Sequence, residues 1–410
     1  MNLSDPAGTQ QTYLQHPNPH RVRGLSCRCV IMGTLIARAC KHFCTRVLFL
    51  LWWPFGCRIA IDRTGHRSRQ EPAMSKPDRF DSVTADDVAI AAGVSRWTVN
   101  RAFKKDASIS AKSREKVMSA AQALGYIPDL SASALASTRS NLVALLVDDF
   151  ANPHKLVMMD CLTRALRGRG LDTLLVNTLD REDTDPALIN ASQRRVDATI
   201  LIGIQFDDDV LAAAHRAHRF KKLIIFARTS RNPDTISIAV DDEIATSEIA
   251  HYVIAKGYRR PLYVAGPNTA SAHLLRKETF ALVWQDRFGH APETVSVPRY
   301  DPILSAEIAF RTLHGRKGAD LPDVIVCEND ALALGAIDTI RYRLGLRVPQ
   351  DIAVVGFDDV PQAASPHYQL TTYRQPLAEM AGYLVDVLGS ARSRNLDRKF
   401  TGELVIRHSA

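Results

Sequence analysis

The sequence predicts an α/β protein: two parallel-sheet subdomains behind a small N-terminal helical domain. Three observations carry that prediction. Residues 83–128 hold three short, well-capped helices with a glycine turn between the first two. From Asn141 onward, short apolar runs alternate with helical stretches, the pattern of a parallel sheet covered by helices. That alternation restarts after residues 236–242, so it describes two similar halves rather than one.

Residues 1–73 carry ten Lys/Arg and three Asp/Glu, a net +7. Residues 74–139 add ten and seven, a net +3, which leaves about −2 for the remainder of a chain whose total is +8. The high isoelectric point therefore reports the N-terminal segment and says little about partners of the core. The apolar run Val47 to Phe55 has nine residues and contains a proline. It falls short of the roughly 20 residues that span a bilayer, and no membrane association is expected. Five of the seven cysteines lie in residues 1–60, without the paired C-x₂-C spacing of a zinc site. Cys161 and Cys327, alone in the body, suit a reducing cytoplasm. Met74 is read as the functional start, with residues 1–73 an extension that is disordered or outside the native product.

The helical domain is expected over residues 74–128. Thr84 precedes an Ala-rich run and has Asp87 three residues on, an N-cap with an acidic partner. Val88, Ala91 and Ala92 share one face. Gly93 ends the run and Ser95 caps a second helix, the helix-turn-helix layout. On that second helix Val99, Ala102 and Phe103 face inward. Arg96, Trp97, Asn100 and Arg101 lie on the other side, where they suit base edges and phosphates in a major groove. Ser110 caps a third helix with Val117, Ala120, Ala121 and Leu124 inward and Gly125 as its stop. Gly-Tyr-Ile-Pro (125–128) then forces an extended step into a Ser/Ala segment, 129–140, too short to be a stable helix alone.

The stretches VTADDVAIAAGVSRWTVNRAF, SAKSREKV and LGYIP resemble the headpiece of the lactose-repressor (LacI/GalR) family of bacterial transcription factors, and the resemblance continues through nearly all of residues 83–410. It implies a DNA-binding set of Thr84 and Ser95 at the caps and Arg96, Trp97, Asn100 and Arg101 on the recognition helix. It also implies that segment 129–140 folds as a hinge helix on operator DNA, with Leu135 wedged into the minor groove and Ala132 one turn before it. The chain departs from the family in having Asp129 after the proline and no base until Arg139.

In the body, LVALLV (142–147), LDTLLVN (171–177), ATILIGI (198–204) and LIIFA (223–227) read as strands, with helices near 153–168, 185–194 and 207–219. After ISIAVDD (236–242) come strands at 262–266, 295–297, 324–330 and 352–359, with helices ending at Gly257, 288, Leu313 and Leu344. A helix near 376–390 and the strand ELVIRHS close the chain. The family's fold is that of the periplasmic sugar-binding proteins: two lobes, three crossovers and a ligand cleft between them. Lobe 1 is placed at 141–240 plus 374–410, and lobe 2 at 241–373.

Ligands bind such sheets beyond the strand C-termini. The polar residues there are Asp148, Asp149, Arg228, Asn329, Asp330, Asp358 and Asp359, with Arg276 joining from a following helix. Asp330 and Asp359 are read as helix caps. The resemblance matches Asp148, Arg228, Arg276, Asn329 and Asp358 to effector contacts and Tyr300 to a sugar-stacking aromatic. Such groups suit a polyol, although two arginines leave room for an acidic or phosphorylated sugar. No nucleophile elbow, dinucleotide fingerprint or phosphate loop is present, so catalysis, cofactor and metal are not expected. The whole reads as a cytoplasmic homodimer that binds operator DNA and a small-molecule effector.

Overall fold

The computed structural model describes residues 83–104, 107–129, 139–178, 184–204, 206, 211, 221–267, 274–392 and 395–410. Ala132 and Leu135, and with them the expected hinge helix, lie outside the described residues, as do residues 1–82 and most of the helix expected near 207–219.

The helical domain is built by its caps. Helix α1 (Ala85–Ala92) starts in a reciprocal capping box: the Thr84 side chain accepts from the Asp87 backbone, and the Asp87 carboxylate accepts from the Thr84 backbone. Gly93, at φ 64°, closes it. Helix α2 (Arg96–Ala102) is capped by Ser95 and helix α3 (Ala111–Leu124) by Ser110. Val88, Ala89, Val99, Ala102, Val117 and Ala121 form the small core, with Phe103 and Tyr126 meeting edge to face. Two expected core positions differ. Ala91 and Leu124 are exposed, and Ala89 is buried in their place. An eight-residue helix touches its neighbours along a narrower stripe than the i, i+3, i+4 pattern assumes.

The body contains two six-stranded sheets. The first uses β1 (Leu142–Val147), β2 (Asp172–Asn177), β3 (Ala198–Ile202), β4 (Leu223–Phe226), β5 (Ile236–Val240) and β11 (Arg398–Phe400). Their order is β11-β5-β4-β3-β1-β2, parallel throughout. The second uses β6 (Pro261–Ala265), β7 (Glu293–Ser296), β8 (Val324–Cys327), β9 (Ala353–Asp358), β10 (Thr371–Arg374) and β12 (Glu403–Val405). Its order is β12-β10-β9-β8-β6-β7, with only β12 antiparallel. Central strands are continuous apolar runs because helices cover both faces. The edge strand β2 is exposed on one side.

The covering helices are α4 (His154–Gly168), α5 (Thr184–Gln193), α6 (Asp242–Ala255), α7 (Arg276–Phe288), α8 (Pro302–Leu313), α9 (Asp330–Asp338) and α10 (Leu377–Gly389). The helix expected to reach Leu344 changes hydrogen-bonding after Asp338 and finishes as a π-helical turn, Thr339–Arg343. The chain passes between the lobes three times: after β5, after β10 and after β11. The last passage corrects the expected boundary. Residues 374–410 do not all belong to lobe 1: β12 pairs with β10, and buried Ser409 donates to the Val354 carbonyl of β9.

A candidate DNA face and a candidate effector cleft

On α2 the outward side chains divide by function. Trp97 is 66% exposed and Asn100 is also exposed, so both are presented to solvent. Arg96 is exposed and paired at 3.0 Å with Asp86 of α1. Arg101 behaves differently. Its guanidinium donates twice to the Ser108 carbonyl, at 2.7 and 3.1 Å, and lies 4.4 Å from the Trp97 ring centroid. Arg101 therefore positions the tryptophan and the following loop. Arg114, which sequence reasoning did not single out, donates to the carbonyls of Ala102, Lys104 and Ala107 and so ties the end of α2 to α3.

Between the lobes lies a cavity of about 50 Å³ lined by both sheets' strand ends. Each lobe supplies groups from the first turn of a helix. From lobe 1 come Asn152, His154 and Lys155 at the start of α4. From lobe 2 come Arg276 at the start of α7 and Asn329, the N-cap of α9. Arg228, Tyr300, Asp358 and Gln375 complete the polar lining.

Five of the six expected effector residues thus meet in one cleft. Arg276 is buried; its Nε donates to Asp242 at 2.6 Å, its Nη1 to the Glu328 carbonyl at 2.9 Å, and its guanidinium lies 3.6 Å from the Phe357 ring centroid. Arg228 is held by the carbonyls of Gly203, Thr229 and Phe206. The Tyr300 hydroxyl donates to Glu328 at 2.9 Å. Gly266 makes room for that ring: a Cβ there would lie 2.0 Å from it. Asn329 accepts from the Leu332 backbone through Oδ1, which leaves its amide nitrogen for a ligand. Asp358, at φ 121°, holds an uncommon backbone conformation for a non-glycine residue and accepts from Gln375 Nε2 at 2.7 Å.

Asp148 is the sixth, and it does not line the cavity. It sits fully buried beneath it, accepting from Lys155 Nζ at 3.0 Å and from the Ile204 backbone at 2.8 Å. Its carboxylate occupies the space that a Cβ on Gly203 would take. Nor are Asp330 and Asp359 helix caps. Asp330 receives Thr372 Oγ1 and the Val360 backbone, and Asp359 receives Arg374 and Arg407. The capping role falls to Asn329 instead.

Burial sets the electrostatics. Asp242 is pushed up to about 6 by desolvation, against the pull of the Arg276 guanidinium. Glu328 is raised by burial, with Gly266 N–H, Arg276 and Tyr300 opposing. His154 is lowered by burial and by neighbouring cations, so it is neutral near pH 7. Asp149 joins the lobes: it follows β1, yet accepts from the Tyr300 backbone at 3.1 Å and from Arg299 at 3.3 Å. Asn152, His154, Lys155 and Gln375 were not singled out in the sequence. His154 and Lys155 open a helix directly after a strand-end loop, and that position was the available signal.

The fold and its two sites define a helix-turn-helix headpiece joined to a two-lobe ligand-binding core. Comparison with known proteins agrees with that definition. Residues 84–129 match the model of bacterial regulatory proteins, lacI family, and residues 250–410 match a periplasmic binding protein-like domain. The HTH-type transcriptional regulator DegA of Bacillus subtilis is 28% identical over 346 residues, 80% of this chain and 97% of that one. The ribose operon repressor of Escherichia coli K12 is 28% identical over 74% of this chain and 92% of its own. Among solved structures, the Lac repressor bound to ONPG in a repressed state superposes with a TM-score of 0.70 at 25% identity, covering 80% of this chain and 99% of that one. The Lac repressor dimer bound to operator and an anti-inducer gives 0.69 at 26%, covering 80% and 98%. The chain thus carries the headpiece of the lacI family of bacterial regulatory proteins and a periplasmic binding protein-like domain, and its relatives are regulators of that family. The family consists of DNA-binding regulators rather than enzymes. Among the described residues, no helix is long and apolar enough to cross a membrane.

Proposed function

We propose that this chain is a ligand-responsive, sequence-specific transcriptional repressor of carbohydrate-related genes, acting in the cytoplasm as a homodimer on a two-fold operator. One observation carries the reading: a capped recognition helix presenting Trp97 and Asn100 stands in the same chain as a cleft whose polar side chains come from both lobes. Relatives named as sucrose and ribose operon repressors support the carbohydrate assignment.

In this reading Trp97, Asn100 and Arg96 meet the major groove, with Arg101 and the Thr84 and Ser95 caps holding them in place. Residues 129–140 fold as a hinge helix on the operator, and Leu135 wedges the minor groove. The effector occupies the cleft between Arg276, Asn329, Asp358 and Tyr300 on one side and Arg228 on the other. An effector shifts the lobes only as far as it prefers one arrangement over the other. The described cavity holds about four waters. A monosaccharide is larger, so its entry requires the lobes to part and close again around it.

Gel-shift binding to DNA upstream of the chain's own gene and its neighbours tests the reading. Specific retention, lost on Leu135→Ala and changed by one sugar, is expected. Sugar binding without retention at any upstream site would make the chain a binding protein instead.

A further inference from the structure

The cleft contains one buried side chain that its surroundings do not use. His154 is 2% exposed, lines the cavity, and has no hydrogen-bond partner for either ring nitrogen among the described residues. Gln375 Oε1, also at the cavity, is likewise without one. Leaving such atoms unmatched in a closed site is costly, so they mark where a ligand makes its bonds. His154 belongs to lobe 1 and its nearest acid, Asp358, to lobe 2. Nε2 and Asp358 Oδ1 stand 3.9 Å apart.

That gap is too long for a hydrogen bond and suits one intervening oxygen at about 2.8 Å from each. A carboxylate only accepts, so the oxygen must donate to Asp358, and it accepts from the imidazole when Nε2 carries the ring proton. A hydroxyl does both; a carboxylate or phosphoryl oxygen cannot donate. Gln375 Oε1 calls for a second donor. The cations of the cleft do not argue for an anion: Lys155 is paired with Asp148, Arg276 with Asp242, and Arg228 donates to backbone carbonyls.

We propose that His154 is a specificity-determining residue, and that the effector is a neutral polyhydroxy compound, one of whose hydroxyls bridges His154 to Asp358 across the cleft. This rests on the cleft being the effector site. It adds a ligand class and a contact that joins the lobes through the ligand itself.

The test is calorimetric titration of the full chain with neutral hexoses and pentoses, with D-gluconate and with glucose 6-phosphate. It is repeated on H154F, H154Q and D358N, and with the single-deoxy forms of whichever sugar binds. A neutral sugar is expected to bind. H154F and D358N should each weaken it about tenfold or more, as loss of one good hydrogen bond does. One deoxy sugar should show a similar loss on the wild type and almost no loss on H154F. H154Q, which keeps a donor and an acceptor, should retain part of the affinity, and it replaces H154F in that comparison if the latter does not fold. Deoxy losses that are undiminished in the His154 variants would overturn the bridge. Binding of gluconate or glucose 6-phosphate without any neutral sugar would overturn the ligand class. Both leave the effector site standing, whereas no binding by any of these compounds removes the site and the inference together.

Discussion

Arg276 and Asp242 form the most exacting pair in the cleft, both buried and 2.6 Å apart. Removing the guanidinium leaves the buried Asp242 carboxylate without compensation, so Arg276→Ala should cost about 3 kcal/mol or more of stability by chemical denaturation. Arg276→Ala should weaken effector binding about 10- to 100-fold in calorimetry. Because Asp242 is pushed up to about 6, acidification through that value protonates it and frees the arginine. Effector affinity should fall as pH drops through about 6, and Asp242→Asn should flatten that profile. The effect on folding has the other sign. The folded chain holds this proton above the range in which the unfolded carboxyl does, so Asp242 by itself favours folding below the unfolded value and loses that contribution as pH rises through about 6. At Gly266, alanine would drive a methyl into the Tyr300 ring. Gly266→Ala should displace that ring and raise the effector's Kd with little change in operator affinity.

The elements of the headpiece stand on their caps. Ser95→Ala should cost about 1 kcal/mol and lower DNA affinity by thermal melt and gel shift, because the recognition helix has only seven residues. Such caps are legible in a sequence because their donors and acceptors are three residues apart. Thr84 with Asp87, Ser95 and Ser110 are all found in this way. Strands are equally plain where both faces are covered, since the run is then apolar throughout. Contacts between distant elements are another matter. Nothing local shows that Asp148 turns downward to Lys155 and Ile204, or that Asp359 meets Arg374 and Arg407. A strand-end carboxylate looks the same in sequence whether it faces a ligand or a buried cation. His154 hides for a related reason: its value comes from Asp358, two hundred residues away in chain and one cavity width in space.

At the scale of the whole molecule, Asp149 fastens lobe 1 to lobe 2 through Tyr300 and Arg299. Asp149→Ala should favour the parted lobes. Small-angle scattering should show a larger radius of gyration without sugar, reverting when a saturating sugar is added, and apparent affinity should weaken in proportion to the closed fraction lost.

The crossing of β11 and β12 to opposite sheets also has a consequence for biosynthesis. Ile238 of β5 pairs with Arg398, 160 residues later, and Thr372 of β10 waits for Val405. Neither sheet is complete until residues 398–405 have left the ribosome. The two lobes therefore cannot mature one after the other during synthesis, although each has its own sheet. Closing such distant pairs is slow, and during that delay β5 and β10 present unpaired edges on which nascent chains can associate.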